Sequence, residues 1–228
     1  MLKMSITVVL GFLFSAGTAF TFFDGSLFSY HPTLISIAFG IIMVGGIEFG
    51  QKASKLRYKA NNIQIHMACN LLAFFIAAVG VGSIVLVKFQ NGKQHFLSTH
   101  SYMAIMSILC VKVSILSGFL HGSTGKLTSE ALYFHRMVAS IGYICVLVCI
   151  ITGFETVTVH KGVQTFVLEA LFCLVFVSLF GTSIKKGHVF GKVKIWQLIV
   201  FALTLVALSE GVARFAGPFI DLVLQKVT

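Results

Sequence analysis

The chain has 228 residues, 57% of them hydrophobic and 11% charged, with a formal net charge of +10. Too few polar side chains remain to cover a water-facing globule, which excludes a soluble domain and points to a multi-pass membrane protein. The positive charge then belongs to loops and does not mark a nucleic-acid-binding face.

Seven apolar stretches reach the roughly 20 residues needed to cross the hydrocarbon layer. They lie near 5–23, 30–50, 63–88, 97–120, 133–157, 164–184 and 195–215. Each is expected to be a helix, because a membrane span must satisfy its own backbone groups; the fold class is all-α. The first stretch follows Lys3 and stays apolar through Phe23 without a cleavage pattern, so it reads as a membrane helix and not a leader. In the second, "SLFSYHPTL" (26–34) places His31 and Pro32 at the expected first turn, where a helix tolerates proline. Cys69, Cys110, Cys145, Cys149 and Cys173 all fall inside apolar stretches, and an odd number there is expected to act as small buried hydrophobes.

Basic residues orient the bundle. Lys52, Lys55, Arg57 and Lys59 fill the second connection, and Lys185, Lys186, Lys192 and Lys194 the sixth. The first connection holds Asp24 and no basic residue, the fifth holds Lys161, and the third carries Lys88 and Lys93. Positive charge collects on the cytoplasmic side, so the N-terminus and the second, fourth and sixth connections are expected in the cytosol. The membrane in question (endomembrane, vesicle or plasma membrane) is not specified by the sequence. Inside the spans, Glu48 lies near Lys52, Lys112 can snorkel to the cytosolic face, and Glu210 and Arg214 can pair at i,i+4.

Four histidines sit near the starts of the second to fifth spans: His31, His66, His100 and His135, separated by 35, 34 and 35 residues. Neighbouring spans run in opposite directions, so His31 shares a depth with His100 on the non-cytoplasmic side. His66 shares one with His135 towards the cytosol. Each also heads a stripe at helical spacing, for example Asn70, Ala73, Ala77 and Gly80 after His66, and Ala104, Ser107, Val111 and Ser114 after His100. Small stripes serve close helix packing or leave room for a flat ligand. Zinc needs four ligands or three and a water, and neither pair has an obvious third. Haem iron takes two axial ligands in apolar surroundings, and filling both positions implies electron transfer. His95 and His160 fall on the outer side and His121 and His188 on the cytosolic side, in loops or at helix exits, where surface roles are expected.

At these residues the chain resembles the cytochrome b561 family of transmembrane electron carriers, over roughly residues 5–184. "SLFSYHPTL" resembles the family's His-Pro start to its second helix, and "LSTHSY" (97–102) is similar to its Ser-Leu-His-Ser-Trp motif, with Thr99 and Tyr102 as departures. "HRMVASIGY" (135–143) resembles its fifth-helix ligand segment, and "GKQH" before "LSTH" is most similar to the small stand-alone branch. The resemblance implies a six-helix core over 1–184 whose second to fifth helices form a haem-binding four-helix bundle. Residues 185–228 would then be a cytosolic loop, an extra seventh helix and a tail. It further implies two haems b per chain, one held by His31 and His100 and the other by His66 and His135. The activity implied is transmembrane oxidoreduction from a cytosolic donor, ascorbate in the better-known branch, to a ferric chelate or monodehydroascorbate. In that branch lysines stand two and six residues before the third-helix histidine, where this chain has Gln64 and Ala60.

Candidate substrate residues are basic. Arg57, Lys59 and Arg136 could steer an anionic donor, although positive-inside topology also places them there. Lys88, Lys93 and His95 form a modest rim beside the outer pair. Partners expected are membrane lipid and these small molecules, with no nucleic acid. The seventh helix could pack on the bundle or mediate a homodimer. Two other functions fit the same sequence: a haem-binding subunit relaying electrons inside a larger complex, and a non-haem seven-helix transporter whose histidines are relays.

Overall fold

Serine hydroxyls set where three of the helices begin. The computed structural model describes residues 5–53, 59–95, 97–124, 129–157 and 162–185. Ser5 accepts the Val8 N–H at 3.3 Å and starts α1 (Ile6–Phe22). Ser26 does the same for Ser29 at 3.3 Å and starts α2 (Leu27–Lys52). After α3 (Lys59–Gln90), Ser98 accepts the Ser101 N–H at 3.3 Å at the head of α4 (Thr99–Thr124). These hydroxyls satisfy donors that a helix N-terminus leaves unpaired. Two further helices follow, α5 (Ser129–Val157) and α6 (Gly162–Lys185). Among the described residues there is helix and no strand, so the fold is an all-α helical bundle.

Among the described residues, four helical stretches are long and apolar enough to cross a membrane: Leu27–Lys52, Ala60–Gln90, Thr99–Leu120 and Glu130–Phe154. Ile6–Phe22 and Phe166–Leu179 are shorter apolar helices. The chain is an integral membrane protein. Lys185, expected in the sixth connection, ends the helix Gly162–Lys185; the rest of that connection and the seventh helix expected near 195–215, with Glu210 and Arg214, lie outside the described residues.

One expectation is corrected in α2. Pro32 is interior to the helix and not in its first turn, because capping by Ser26 starts the helix at Leu27. Asp24 supports that start: its carboxylate accepts the Ser26 N–H at 2.9 Å, and hydrogen bonds from the Ser26 side chain and backbone hold its carboxyl below the usual range. Further along, Ile37–Ile42 forms a wider π-type turn. Such a turn leaves carbonyls without their usual N–H partners, and here side chains supply them. Ser15 Oγ donates to Ser36 O at 2.8 Å, and the buried Tyr143 hydroxyl donates to Phe39 O at 3.1 Å. The same turn carries the closest helix crossing: a Cβ on Gly11 would stand 1.8 Å from Gly40 O, so α1 and α2 meet backbone to backbone.

Helix α2 packs along α3, α4 along α5, and α1 against α2 and α6. An apolar core runs from α1 through α2 and α5 to α6, built on Phe14, Val44, Ile144, Phe172 and Val175. Phe14 lies on Phe172 with ring centres 4.6 Å apart, and Phe22 stacks on Phe154 at 5.7 Å. Large side chains on the opposite faces, such as Phe75, Val79, Leu116 and Phe119, are exposed on the outside of the bundle, as lipid-facing positions require. The cysteines are all free. Cys145 alone is fully buried and the other four only partly, because in a membrane bundle an apolar helix face need not be an interior face.

Glu48 is paired as the sequence suggests, with Lys52 Nζ at 3.7 Å. It also accepts a hydrogen bond from the Ser5 hydroxyl, which ties the N-terminus of α1 to the end of α2.

Candidate functional site: two stacked histidine pairs

The cap of α4 places His100 in its first turn, and the Ser26 cap places His31 in the second turn of α2. The two rings lie with centres 6.0 Å apart and planes at 86°. His66 on α3 and His135 on α5 form a second pair, with centres 6.1 Å apart and planes at 81°. The structure thus brings the four histidines together two by two, in the combination that equal depth predicts. The stripes below them face inward: Ala38, Ala73, Ala77, Ser107, Val111, Ser114 and Val146 are buried.

Every one of the four rings is anchored in the same way. Nδ1 of His31 donates to Gly80 O at 2.9 Å, and Nδ1 of His66 to Gly46 O at 2.8 Å. Nδ1 of His100 donates to Cys149 O at 2.8 Å, and Nδ1 of His135 to Ser114 O at 3.0 Å. A carbonyl can only accept, so Nδ1 carries the proton in each ring, and in the neutral imidazole Nε2 then keeps the lone pair. This is the tautomer in which imidazole serves as a metal ligand, with its other nitrogen held by an outer-shell carbonyl.

Glycines make room for three of the rings, and sequence reasoning had missed them. A Cβ on Gly50 would stand 2.7 Å from His66 Nδ1, one on Gly153 2.9 Å from His100 Cε1, and one on Gly118 3.1 Å from His135 Cε1. In each case the glycine lies four residues after the carbonyl that receives the proton, in "GIEFG" (46–50), "SILSG" (114–118) and "CIITG" (149–153). This small-x-x-x-Gly spacing lets a membrane helix be approached closely. It was the available signal. The fourth ring departs from it, with Ile84 at the corresponding place after Gly80.

The surroundings of the pairs differ. On the His66 side, Asn70 Nδ2 donates to His66 O at 2.6 Å and stands 3.2 Å from the ring Nδ1. Ser117 Oγ lies 3.2 Å from His135 Nδ1 and donates to Ser114 O at 2.9 Å. On the His100 side, the Cys149 thiol donates to His100 O at 3.6 Å.

The pair spacing tests what could sit between the rings. A metal–imidazole bond of about 2 Å and a ring radius of about 1.2 Å put two opposed axial imidazoles about 6.4 Å apart, centre to centre. The two observed spacings come within a few tenths of an ångström. Edge-to-face aromatic packing also spans such distances, but it does not require that all four rings donate from Nδ1. No group of three metal-ligating side chains occurs among the described residues. The pairs therefore suit an ion that already brings an equatorial ligand set, as haem does.

Of the basic candidates, Lys88 is within electrostatic range of both His31 and His100, and Lys93 is within range of Lys88. The turn after α3 creates this arrangement. Gly92, at φ +59°, lets Gly92 N–H reach Phe89 O at 3.2 Å and Lys93 N–H reach Lys88 O at 2.9 Å, which folds Lys93 back over Lys88. His95 follows in the same connection, partly buried. Arg136 is adjacent to His135 on α5 and partly buried, and Lys59 opens α3. Arg57, His160 and His188 lie outside the described residues.

Fold and site together define a class: an all-helical membrane bundle with two imidazole pairs stacked between its helices. Residues 30–161 match the family model of eukaryotic cytochrome b561, a stretch that includes all four histidines. The chain belongs to the cytochrome b561 family, and haem b binding goes with that membership. It is similar to "Transmembrane reductase CYB561D2" of Mus musculus, 34% identical over 87 residues, which are 37% of this chain and 39% of that protein. The protein of the same name from Homo sapiens is 32% identical over 87 residues, again 37% and 39% of the two chains. "Probable transmembrane reductase CYB561D1" of Mus musculus is 26% identical over 121 residues, 52% of this chain and 50% of that one. The matched stretches thus span about two-fifths to half the length of these relatives.

Proposed function

We propose that the chain is a diheme transmembrane oxidoreductase that carries single electrons from a cytosolic donor to an acceptor on the opposite face. His31 and His100 would hold one haem b, and His66 and His135 the other. The observation that carries this reading is the fourfold repetition of one arrangement. Each imidazole donates Nδ1–H to a helix carbonyl and faces a second imidazole about 6 Å away. When bound, haem would supply a one-electron iron couple. The chain's own residues fix the tautomer, orient the rings and exclude water with the buried small stripes. Similarity to proteins named transmembrane reductases supports the same activity.

The side assignments rest on charge. Basic residues crowd the connection between α2 and α3, next to the His66/His135 end, so that end and the N-terminus face the cytosol. An anionic donor such as ascorbate would approach along Arg57, Lys59 and Arg136. At the other end Lys88 and Lys93, with His95 beside them, would attract an anionic ferric chelate, or monodehydroascorbate, to the His31/His100 pair by steering.

The test is transfer across a sealed membrane. Purified protein in liposomes, given external ascorbate and trapped ferricyanide, should reduce the trapped acceptor. The His31→Ala variant should not. Equal rates in protein-free liposomes and proteoliposomes would refute the activity.

A further inference from the structure

At the outer pair, the two carbonyls that anchor the imidazoles are each shared with a hydroxyl. Ser83 Oγ donates to Gly80 O at 2.8 Å, the same oxygen that accepts His31 Nδ1–H. Thr152 Oγ1 stands 3.1 Å from Cys149 O, which accepts His100 Nδ1–H, while also donating to Val148 O at 2.8 Å. Both hydroxyls are buried. A serine or threonine within a helix commonly bonds back to a carbonyl three or four residues earlier. Here the carbonyl chosen already holds a ring, and in this pair both anchoring carbonyls are shared in that way.

The cytosolic pair is built differently. Ser117 shares Ser114 O with His135, but its oxygen also lies within reach of the ring nitrogen itself. The residue three after Gly46 is Phe49, which has no hydroxyl, and an amide, Asn70, stands beside His66 instead.

We propose that Ser83 and Thr152 are positioning residues of the His31/His100 pair, tuning its reduction potential through the two carbonyls they share with the rings. The proposal rests on the reading of that pair as axial ligands. A carbonyl oxygen that accepts two hydrogen bonds gives less to each. The hydroxyl therefore weakens the pull on the Nδ1 proton and keeps the ring a more neutral imidazole. Without the hydroxyl the carbonyl draws that proton more strongly, and the ring gains imidazolate character. Such a ring stabilises the oxidised metal, and outer-shell partners of a histidine ligand act on basicity in this way. Loss of the hydroxyl should lower the potential of one haem and leave the other alone.

The experiment is a spectroelectrochemical titration of the full chain in lipid nanodiscs. It compares wild type with S83A, T152V, the double variant and S107A. Ser107 is an internal control, a buried serine on α4 whose hydroxyl donates to Met103 O at 2.6 Å and touches no ring-anchoring carbonyl. The outer haem is identified as the one whose signal is lost in H31A. The expected result is that S83A and T152V each keep both haems and shift the outer potential downward. The double variant shifts it further, the inner potential stays in place, and S107A moves neither. A double variant with both haems and unchanged potentials would overturn the inference while leaving the axial reading intact. So would loss of the outer haem in S83A that S83T, which keeps a hydroxyl, fails to restore. A wild-type protein that binds no haem would overturn both.

Discussion

His66 rests against Gly50: a Cβ at that glycine would stand 2.7 Å from the ring Nδ1, and four residues earlier on the same helix Gly46 O accepts the ring's proton. No side chain at position 50 leaves the ring where it is, so Gly50→Ala should displace His66. Overpacking of this kind costs about 1–3 kcal/mol. The haem content of G50A should fall from two per chain to about one, with the outer haem spectrum retained. Gly153→Ala should do the reverse and remove the outer haem, since its Cβ would meet His100 at 2.9 Å.

The crossing of α1 and α2 is a separate constraint that belongs to the fold alone. A Cβ on Gly11 would come within 1.8 Å of Gly40 O, backbone against backbone, with no flexible side chain to yield. Gly11→Ala should cost about 3 kcal/mol or more. The expected outcome is a large drop in yield and in Tm in detergent, with both haems affected together and not one selectively.

Tyr143 links α5 to the wide turn of α2 through its hydrogen bond to Phe39 O at 3.1 Å. Tyr143→Phe leaves that buried carbonyl without this donor, at a cost of about 1–3 kcal/mol. Thermal unfolding should show the loss. The ring still packs on Phe172 and Phe176, so two haems should remain, and an unchanged Tm would show that the π-type turn needs no tyrosine.

At the outer rim, Lys88→Gln with Lys93→Gln should raise KM for an anionic ferric chelate several-fold while kcat stays near the wild-type value. Steering of this kind is screened over roughly 10 Å at 0.1 M salt, so the difference between variant and wild type should shrink as ionic strength rises. A neutral or cationic acceptor should show no penalty. Equal KM values for the anionic chelate in both proteins would remove the rim from the account.

The pairs were legible in the sequence because depth is a one-dimensional property. Regular histidine spacing and alternating helix direction place His31 level with His100 and His66 level with His135, and helical periodicity places Ala73, Ala77, Ser107 and Val111 on the inward faces. The partners of the rings were not legible. Gly50, Gly118 and Gly153 act across helix boundaries, and nothing in a helix's own pattern says which neighbour it leans on. Their small-x-x-x-Gly spacing is visible, but it is common to membrane helices generally. Pro32 by itself points to a first turn, whereas Ser26 caps the helix a full turn earlier. The widened turn at Ile37–Ile42 gives no signal in the residues that form it; its side-chain partners, Ser15 and Tyr143, come from α1 and α5.

The central claim is that two pairs of histidines hold two haems, and haem stoichiometry reads it most directly. Purified protein should contain two haems b per chain, with a bis-histidine reduced-minus-oxidised spectrum. H31A and H66A should each retain one haem, and the two variants should differ in which spectral component survives. A wild-type protein with one haem or none, or single variants that lose both haems together, would contradict the account.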